Sequence, residues 1–261
     1  MSQAEGPAVE VSEEVLEALR GASRVVALTG AGMSAESGVP TFRDAQSGLW
    51  EQFDPSQLAT PEAWRADPPF VWAWYAWRVG LVRSVQPNPG HCALAELADL
   101  REVAVVTQNI DDLHERAGST VLAHVHGSLL DFRCMDCGAP YDGEIEVPTE
   151  PVERLDPPTC PECQGDIRPG VVWFGEELPR AAFDDAVAAL EALGPGDVCL
   201  VVGTSGIVYP AAGLPAVALS AGATVVEVNP QETDVSDMCH LHVRDTAARV
   251  LPTLVERVRS G

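Results

Sequence analysis

Short apolar runs rich in β-branched residues alternate with stretches of helical character along this chain, and this alternation constrains the fold most. Four runs have the composition of buried strands: 24–28, 103–106, 198–202 and 223–228. A helix capped by Ser12 is predicted before the first strand, and six further stretches are predicted to form helices: 61–66, 69–84, 91–100, 179–193, 211–220 and 245–257. Buried strands separated by helices are typical of a parallel sheet with helices on both faces. The sequence therefore predicts an α/β fold built on a Rossmann-like parallel sheet.

Residues 133–170 break this pattern, because they are rich in Cys, Pro, Gly and acidic residues and show little strand or helix periodicity. Two Cys-x-x-Cys pairs lie in this segment, separated by 22 residues: Cys134, Cys137, Cys160 and Cys163. Four thiolates can close a tetrahedral site around Zn²⁺ and leave no position open for catalysis. We therefore predict a small zinc-binding module over 133–170 with one structural ion, inserted in a larger domain formed by 1–132 and 171–261. Core or redox cysteine pairs are the alternative.

The chain is strongly acidic, since 39 Asp and Glu against 16 Lys and Arg give a formal net charge of −23. Such a surplus repels phosphate and anionic lipid, so we expect no direct nucleic-acid binding and no membrane docking. No apolar run reaches the roughly 18 residues of a membrane span and no apolar leader opens the sequence, which predicts a cytoplasmic protein. All 16 basic residues are arginine, which indicates either a high-salt cytoplasm or a G+C-rich genome.

Seven cysteines in an intracellular chain favour metal binding or reduced thiols over a disulfide framework. Outside the two pairs, three cysteines have no comparable spacing and are predicted to be buried apolar residues: Cys92, Cys199 and Cys239.

Polar or glycine-rich residues follow each of the four predicted strands directly, at 30–35, 107–112, 203–205 and 229–230. The carboxyl ends of parallel strands meet at one edge of a sheet, where α/β proteins usually bind ligands. Gly30 and Gly32 would let the backbone approach a pyrophosphate, although the acid that ordinary Rossmann folds carry after their second strand is missing. A polar loop at 34–44 is longer than a Rossmann turn, and such loops are usually functional. Helix capping by Asn109 or Asp111 is the alternative for the second cluster.

Two further pairs of residues have side chains suited to catalysis or ligand binding. His124 and His126 are one residue apart and would share one face of a strand, where a histidine is either a structural residue or a general base. Tyr75 and Arg78 lie three residues apart in the predicted helix 69–84 and would share one helix face. Taken alone, the second pair is also compatible with a packed tyrosine and a solvated arginine.

The motifs taken together resemble those of the sirtuins, the NAD-dependent protein deacylases. They occur in that family's order between about residues 20 and 258 and comprise Gly30–Gly38, Thr41–Asp44, Thr107–Asp111, His126–Gly127, the two Cys-x-x-Cys pairs, Val172–Glu176, Gly203–Ser205 and Val228–Pro230. The resemblance implies that NAD is consumed as a co-substrate: the acyl oxygen of an acyl-lysine attacks the ribose carbon as nicotinamide leaves, giving an alkylimidate. His126 would be the general base that deprotonates a ribose hydroxyl. The products would be nicotinamide and O-acyl-ADP-ribose.

The resemblance also implies where NAD binds, mainly in the domain formed by 1–132 and 171–261. Asn109 and Asp111 would line the nicotinamide pocket, and Gln108 would lie beside the ribose hydroxyls. The residues expected to bind NAD are Gly30, Ala31, Gly32, Ser34, Ala35, Thr41, Phe42, Arg43, Trp50, Gln108, Asn109, Ile110, Asp111, Gly203, Thr204, Ser205, Asn229, Pro230, Gln231 and Ala247.

Proteins or peptides that carry acyl-lysine are the implied partners. A peptide would add as a strand between Val172–Gly175 and Gly206–Tyr209, although the first segment could also be an ordinary hydrophobic strand. The Tyr-x-x-Arg pair resembles the branch of sirtuins that removes succinyl, malonyl and glutaryl groups, because a guanidinium fork and a phenol can both bind a distal carboxylate. The residues expected to bind substrate are Tyr75, Arg78, Val172, Trp173, Phe174, Gly175, Val208 and Tyr209.

Three alternatives remain open: a plain protein deacetylase, a protein ADP-ribosyltransferase of the same fold, and a zinc-ribbon interaction module that only senses NAD. The presence of His126, Asn109 and Asp111 argues against the last two. The tryptophans around the Tyr-x-x-Arg pair depart from the family's pattern and could reshape its pocket: Trp72, Trp74 and Trp77.

Overall fold

A parallel six-stranded sheet forms the centre of the molecule in the computed structural model, which describes residues 8–41 and 54–261. In chain order its strands are β1 (Arg24–Thr29), β2 (Glu102–Thr107), β3 (Val121–His124), β6 (Val198–Val202), β7 (Thr224–Val228) and β8 (Leu241–Val243). They lie in the order β3-β2-β1-β6-β7-β8, and every neighbouring pair is parallel. Thr29 pairs with Thr107 and Val202, so β1, β2 and β6 end at the same edge. The predicted Rossmann-like α/β fold is confirmed.

Helices cover both faces of this sheet: α1 (Glu13–Gly21), α5 (Pro89–Leu97) and α9 (Ala247–Ser260) on one, α7 (Arg180–Glu191) and α8 (Leu214–Ser220) on the other. The short helix α6 (Leu113–Arg116) follows β2. Alternate residues of a strand point to opposite faces. Val25 and Ala27 therefore belong to the first hydrophobic cluster, and Val26 and Leu28 to the second. Because both faces are covered, the central strand β6 is apolar throughout, and every one of its residues is buried.

A small lobe stands beside the sheet. It contains two antiparallel strands, β4 (Gly127–Cys134) and β5 (Ile167–Val171), and the helices α2 (Pro55–Leu58), α3 (Pro61–Ala66) and α4 (Pro68–Ser84). Its core is aromatic, since Trp64, Trp72, Trp74, Tyr75 and Trp173 are all buried in one cluster. Residues 71–76 of α4 are buried on every side of the helix, as expected for a helix without an exposed polar face. In this lobe α4, which carries the Tyr-x-x-Arg pair, shares one hydrophobic cluster with the end of β5.

The sequence prediction differs from the structure at several places. Strands β4, β5 and β8 were not predicted, and β3 was anticipated only around its last residue, His124. The helix predicted over 211–220 is a 3-10 turn at Ala211–Gly213 followed by α8. The helix predicted over 91–100 begins at Pro89, because the Asn88 side chain caps the amides of Gly90 and His91. Cys199 is buried as predicted, but Cys92 is exposed on α5 and Cys239 is half-buried, so the prediction for these two was wrong.

The division into a zinc-binding module over 133–170 and a larger domain stays a prediction. The two strands of the small lobe begin and end just outside that range, at Gly127 and Val171. The segment is also tied to α4, because the Asp67 carboxylate accepts the Phe70 amide at the start of that helix and binds Arg154 at 2.8 Å. Among the described residues, no helix combines the length and apolarity that crossing a bilayer requires.

Candidate active site

A cavity of about 410 Å³ lies between the carboxyl edge of the sheet and the small lobe. Most of the site residues predicted from the sequence line it: Ala31, Gly32, Ser34, Thr41, Tyr75, Arg78, Gln108, Asn109, Ile110, Asp111, His126, Val172, Trp173, Phe174, Gly175, Gly203, Thr204, Ser205, Val208, Tyr209 and Asn229. The ends of four parallel strands, β1, β2, β6 and β7, and the segment after β5 therefore meet around one space.

Some of the expected residues lie elsewhere. Five of them do not line the cavity: Gly30, Ala35, Pro230, Gln231 and Ala247. Phe42, Arg43 and Trp50 fall outside the described residues. Sequence analysis in turn did not place several lining residues in the site: Val39, Pro40, Ala59, Val82, Val171, Glu176, Leu178 and Pro210. Nearly all of these are apolar and carry no chemical signature, so only the fold reveals that they border the cavity.

The glycines after β1 and β6 allow two loops to touch backbone to backbone. The Gly32 amide donates to the Gly203 carbonyl at 2.8 Å, and a Cβ on Gly32 would lie 2.8 Å from the Gly203 Cα. Gly203 itself has a φ of 61°, a conformation that favours glycine. Gly30 is similarly close to Thr204, although it does not line the cavity. Side chains at these positions would separate the loops, so the glycines leave backbone groups to form this wall of the cavity.

A buried polar network lies behind Asn109. Its side-chain amide donates to the Ser34 hydroxyl at 3.1 Å, and Ser34 in turn lies 3.4 Å from Nε2 of His91. Because Nδ1 of His91 accepts the Asn88 amide at 3.2 Å, Nε2 carries the proton and donates to Ser34. Burial raises the pKa of Asp111, whose carboxylate accepts the Leu113 amide. The network therefore fixes the orientation of the polar groups at the end of β2.

Two buried histidines of this network were not singled out from the sequence. Burial lowers the pKa of His91 to about 3 and that of His114 to about 4, so both rings are neutral at pH 7. The two rings meet edge to face, with their centres 4.9 Å apart. Nε2 of His114 lies 2.9 Å from the Thr29 hydroxyl. Isolated histidines in helical stretches give no sequence signal of such a role, since it arises from tertiary contacts.

His126 lies in the turn between β3 and β4 and faces the cavity. Its Nδ1 is 3.1 Å from the Gln108 carbonyl, which can only accept, so Nδ1 carries the proton and Nε2 is left as the basic nitrogen. Burial lowers the pKa of His126, which keeps the ring neutral at pH 7. A neutral imidazole with a fixed tautomer is suited to take a proton from a ligand in the cavity.

His124 has a different environment. It ends β3, so the prediction that both histidines share one face of a strand was wrong, and it does not line the cavity. Its Nδ1 lies 3.0 Å from the Asn109 carbonyl and its Nε2 2.7 Å from the Glu115 carboxylate. Burial lowers the pKa of His124, but the Glu115 carboxylate outweighs it and the pKa is raised. His124 is thus a partner of Glu115 outside the cavity.

Tyr75 and Arg78 lie on the same face of α4, and both border the cavity. Arg78 is only 8% exposed, which rules out a solvated arginine. Its guanidinium lies 5.0 Å from the centre of the Trp74 ring, and burial lowers its pKa without neutralising it, since guanidinium groups stay charged in proteins. The Tyr75 hydroxyl accepts a hydrogen bond from the Trp173 indole at 2.9 Å, and burial raises the pKa of the tyrosine. This end of the cavity combines a positive charge with apolar walls.

The segment after β5 forms the other wall. The Val172 amide donates to the His126 carbonyl at 2.8 Å, and the Phe174 amide to the Ala59 carbonyl at 2.9 Å. Strand β5 ends at Val171, so 172–175 is not part of an ordinary strand. Exposed apolar side chains stand at this mouth, with Phe174 at 43% and Tyr209 at 74% exposure, and both line the cavity. Apolar side chains on both sides of an opening are suited to a peptide chain.

The sequence pattern described as the Sir2 family matches residues 30–210 of this chain. This chain belongs to the Sir2 family. A related protein, the NAD-dependent protein deacylase Sir2 of Mycolicibacterium smegmatis, is 54% identical over 235 residues, which are 90% of this chain and 96% of that protein. The sirtuin resemblance of the sequence motifs is therefore confirmed.

Solved Sir2 structures have the same fold as this sirtuin. A Sir2 homologue in complex with NAD is 43% identical and superposes with a TM-score of 0.87, over 98% of this chain and 97% of that one. A Sir2 protein in complex with a deacetylated p53 peptide and 3′-O-acetyl ADP ribose is 32% identical, with a TM-score of 0.78 over 95% of this chain and 97% of that one. NAD is thus a ligand of the family to which this chain belongs.

The cysteine cluster of this sirtuin fits one structural zinc ion. The sulfurs of Cys134, Cys137, Cys160 and Cys163 all lie within 4.8 Å of one another. The Cys134–Cys163 and Cys137–Cys160 sulfur distances are 3.4 and 3.8 Å. Tetrahedral zinc with bonds of about 2.3 Å separates its sulfur ligands by about 3.8 Å, which matches. Four protein ligands would complete the coordination, so the ion would stabilise the small lobe and take no part in catalysis.

Proposed function

We propose that this sirtuin is an NAD-dependent protein-lysine deacylase that prefers the acidic acyl groups succinyl, malonyl and glutaryl and keeps some activity on acetyl-lysine. The observation that carries the acyl preference is a buried guanidinium in the cavity wall, that of Arg78. The deacylase activity printed in the relative's name and the peptide bound by a structural neighbour support the reaction class.

NAD would supply the ribose carbon that takes the acyl oxygen when nicotinamide leaves. The contact between Gly32 and Gly203 brings backbone to the cavity surface, which suits a pyrophosphate because no side chain intervenes. The Asn229 side chain holds the Thr204 carbonyl at 3.0 Å and so braces the loop proposed to bind the adenosine half. Asn109 and Asp111 would bind nicotinamide, since an amide and a carboxylate can pair with its carboxamide.

His126 would act as the general base. The ribose hydroxyl that it deprotonates becomes a nucleophile, and the proton moves to Nε2 while Nδ1 stays bonded to the Gln108 carbonyl. The Gln108 side chain is held by Thr204 at 3.1 Å, which links the base to the loop proposed to bind NAD. His124, which is held by Glu115, has no part in this step.

Arg78 would recognise the distal carboxylate of the acyl group. The guanidinium is buried in the cavity wall, so a carboxylate that binds beside it forms a charge-assisted hydrogen bond in a low-dielectric environment, where that bond is stronger than it would be in water. Acetyl-lysine offers only a methyl group at this point. The acyl-lysine itself would enter between 172–175 and 206–209, where apolar side chains are exposed on both sides of the mouth.

The test is Arg78→Met, which keeps the length of an apolar side chain and removes the charge. Losing one partner of a buried charge pair costs on the order of 2–5 kcal/mol, so kcat/KM for succinyl-lysine should fall by at least tens of fold relative to that for acetyl-lysine. Both acyl groups are measured on one peptide sequence. An equal loss on both substrates would mean that Arg78 only packs the helix, and the enzyme would then be a plain deacetylase.

A further inference from the structure

We infer that Trp173 determines acyl specificity by fixing the direction in which the Tyr75 hydroxyl donates its proton. The backbone of Trp173 lies in the segment proposed to bind the peptide, whereas the inferred role belongs to its indole N–H. The inference rests on the proposed preference for acidic acyl groups, because it explains how the second donor to the acyl carboxylate is oriented.

The hydrogen bond between the two side chains has only one possible direction. The Trp173 indole nitrogen lies 2.9 Å from the Tyr75 oxygen, and an indole N–H can donate but not accept. The phenol must therefore accept this bond and keep its own single proton for another partner. Both side chains line the cavity and are at most 2% exposed, so bulk water does not compete. A carboxylate in the cavity, which can only accept, is the complementary ligand.

The indole is held firmly in this orientation. The Arg168 guanidinium stacks on the Trp173 ring, 3.2 Å from its centre, and Trp64 packs against the ring at a centroid distance of 5.5 Å. Glu176 binds the same guanidinium with both oxygens, at 2.5 and 3.0 Å, and one of these oxygens accepts the Trp173 amide at 2.9 Å. The Arg168 side chain is 3% exposed, so this clamp is screened little by solvent.

The arrangement joins two functions on one residue. The backbone of Trp173 belongs to the segment proposed to bind the peptide, whereas its side chain reaches α4 and bonds to the tyrosine of the proposed acyl pocket. A tyrosine without this partner could rotate its hydroxyl proton freely, and some of the binding free energy of the carboxylate would be lost in ordering it. Trp173 is accordingly a positioning residue that acts through Tyr75.

The experiment is a double-mutant cycle with Trp173→Phe and Tyr75→Phe, measured as the ratio of kcat/KM for succinyl-lysine to that for acetyl-lysine on one peptide. Each single variant removes one group and keeps an aromatic ring. Since a neutral hydrogen bond contributes a modest amount, Trp173→Phe should lower the ratio about three- to tenfold. In the Tyr75→Phe background the same change should have almost no effect on the ratio. Phe132→Leu, which alters the same aromatic cluster where that ring packs against Trp72 and outside the cavity lining, should leave the ratio unchanged.

Two results would overturn the inference. An unchanged ratio in folded Trp173→Phe would show that the indole N–H does not act on the acyl group, and independent effects that multiply in the double variant would show that it does not act through Tyr75. Melting temperatures of all variants separate these results from loss of folding. Arg78→Met distinguishes the proposed function itself: if that variant lowers the ratio while Trp173→Phe does not, only this inference fails. A wild-type enzyme without activity on succinyl-lysine overturns both.

Discussion

His124 and His126 are neighbours in sequence with opposite pKa shifts, and their surroundings explain why. Burial lowers the pKa of His126, whereas the Glu115 carboxylate raises that of His124 despite burial. A histidine that remains neutral at pH 7 is available as a base, and one that is paired with a carboxylate is not. The division of roles between these two residues therefore follows from contacts that the sequence does not reveal.

The lowered pKa of His126 predicts the acid limb of the pH–rate profile. The base is active when unprotonated, so kcat/KM should fall as pH decreases, with its inflection below the ordinary histidine value of 6.5. His126→Ala should lose about 10²–10⁴-fold of the activity and lack this limb. His124→Ala serves as the control and should keep it. An inflection above 6.5, or a limb that survives in His126→Ala, would require a different base.

For single residues, the sequence predicted which polar side chains lie together at the cavity. Asn109, Thr204 and Asn229 follow strand ends, and parallel strands bring such positions together whatever the details of packing. The contacts behind them were harder to find. Ser34 was expected in the site, but its contact with His91, the apolar lining and the indole bond to Tyr75 have no local sequence pattern.

Among the elements, long buried strands were predictable and short ones were not. Strand β6 is apolar over all five of its residues and β1 over the four residues 25–28, and in an alternating α/β sequence such runs indicate buried strands. Strand β8 has three residues and β3 four, with exposed positions in both, too few for a periodic pattern. Strands β4 and β5 belong to the small lobe, where cysteine and proline content conceals strand periodicity.

The small lobe is also where a metal should matter to folding. Its four cysteine sulfurs are close enough to share one ion, and metal binding at such sites contributes directly to the free energy of folding. We expect purified protein to hold one zinc per chain, and Cys134→Ser or Cys160→Ser to lose the metal and melt at a markedly lower temperature. Cys92→Ser, which changes an exposed cysteine on α5, is the control. Folded, active protein with far less than one zinc per chain would contradict this assignment.

For the whole molecule, the net charge of −23 is the dominant electrostatic fact. Acidic side chains repel one another in the folded state, and salt screens this repulsion with a Debye length of about 10 Å at 0.1 M and about 3 Å at 1 M. Exposed ion pairs such as Arg65–Glu62 are also screened, but each contributes little. Repulsion should therefore decide the sign of the salt effect.

This balance predicts that the melting temperature rises, or at least holds, as KCl is increased from low to molar concentration. The rise should be reproduced by NaCl at equal ionic strength, since screening does not depend on the cation's identity. A melting temperature that falls steadily with both salts would show that screened ion pairs outweigh repulsion, and that the acidic composition gives no tolerance of salt.

We propose above that this sirtuin removes acidic acyl groups from lysine at the expense of NAD. It is tested most directly by kcat/KM of the wild-type enzyme on one peptide carrying succinyl-, malonyl-, glutaryl- or acetyl-lysine, with release of both nicotinamide and the free-lysine peptide followed. We expect NAD-dependent release of free lysine from all four, with the three acidic groups turned over more efficiently than acetyl because only they reach Arg78 with an anion. Greater efficiency on acetyl-lysine, or nicotinamide release that leaves the acyl-lysine intact, would contradict it.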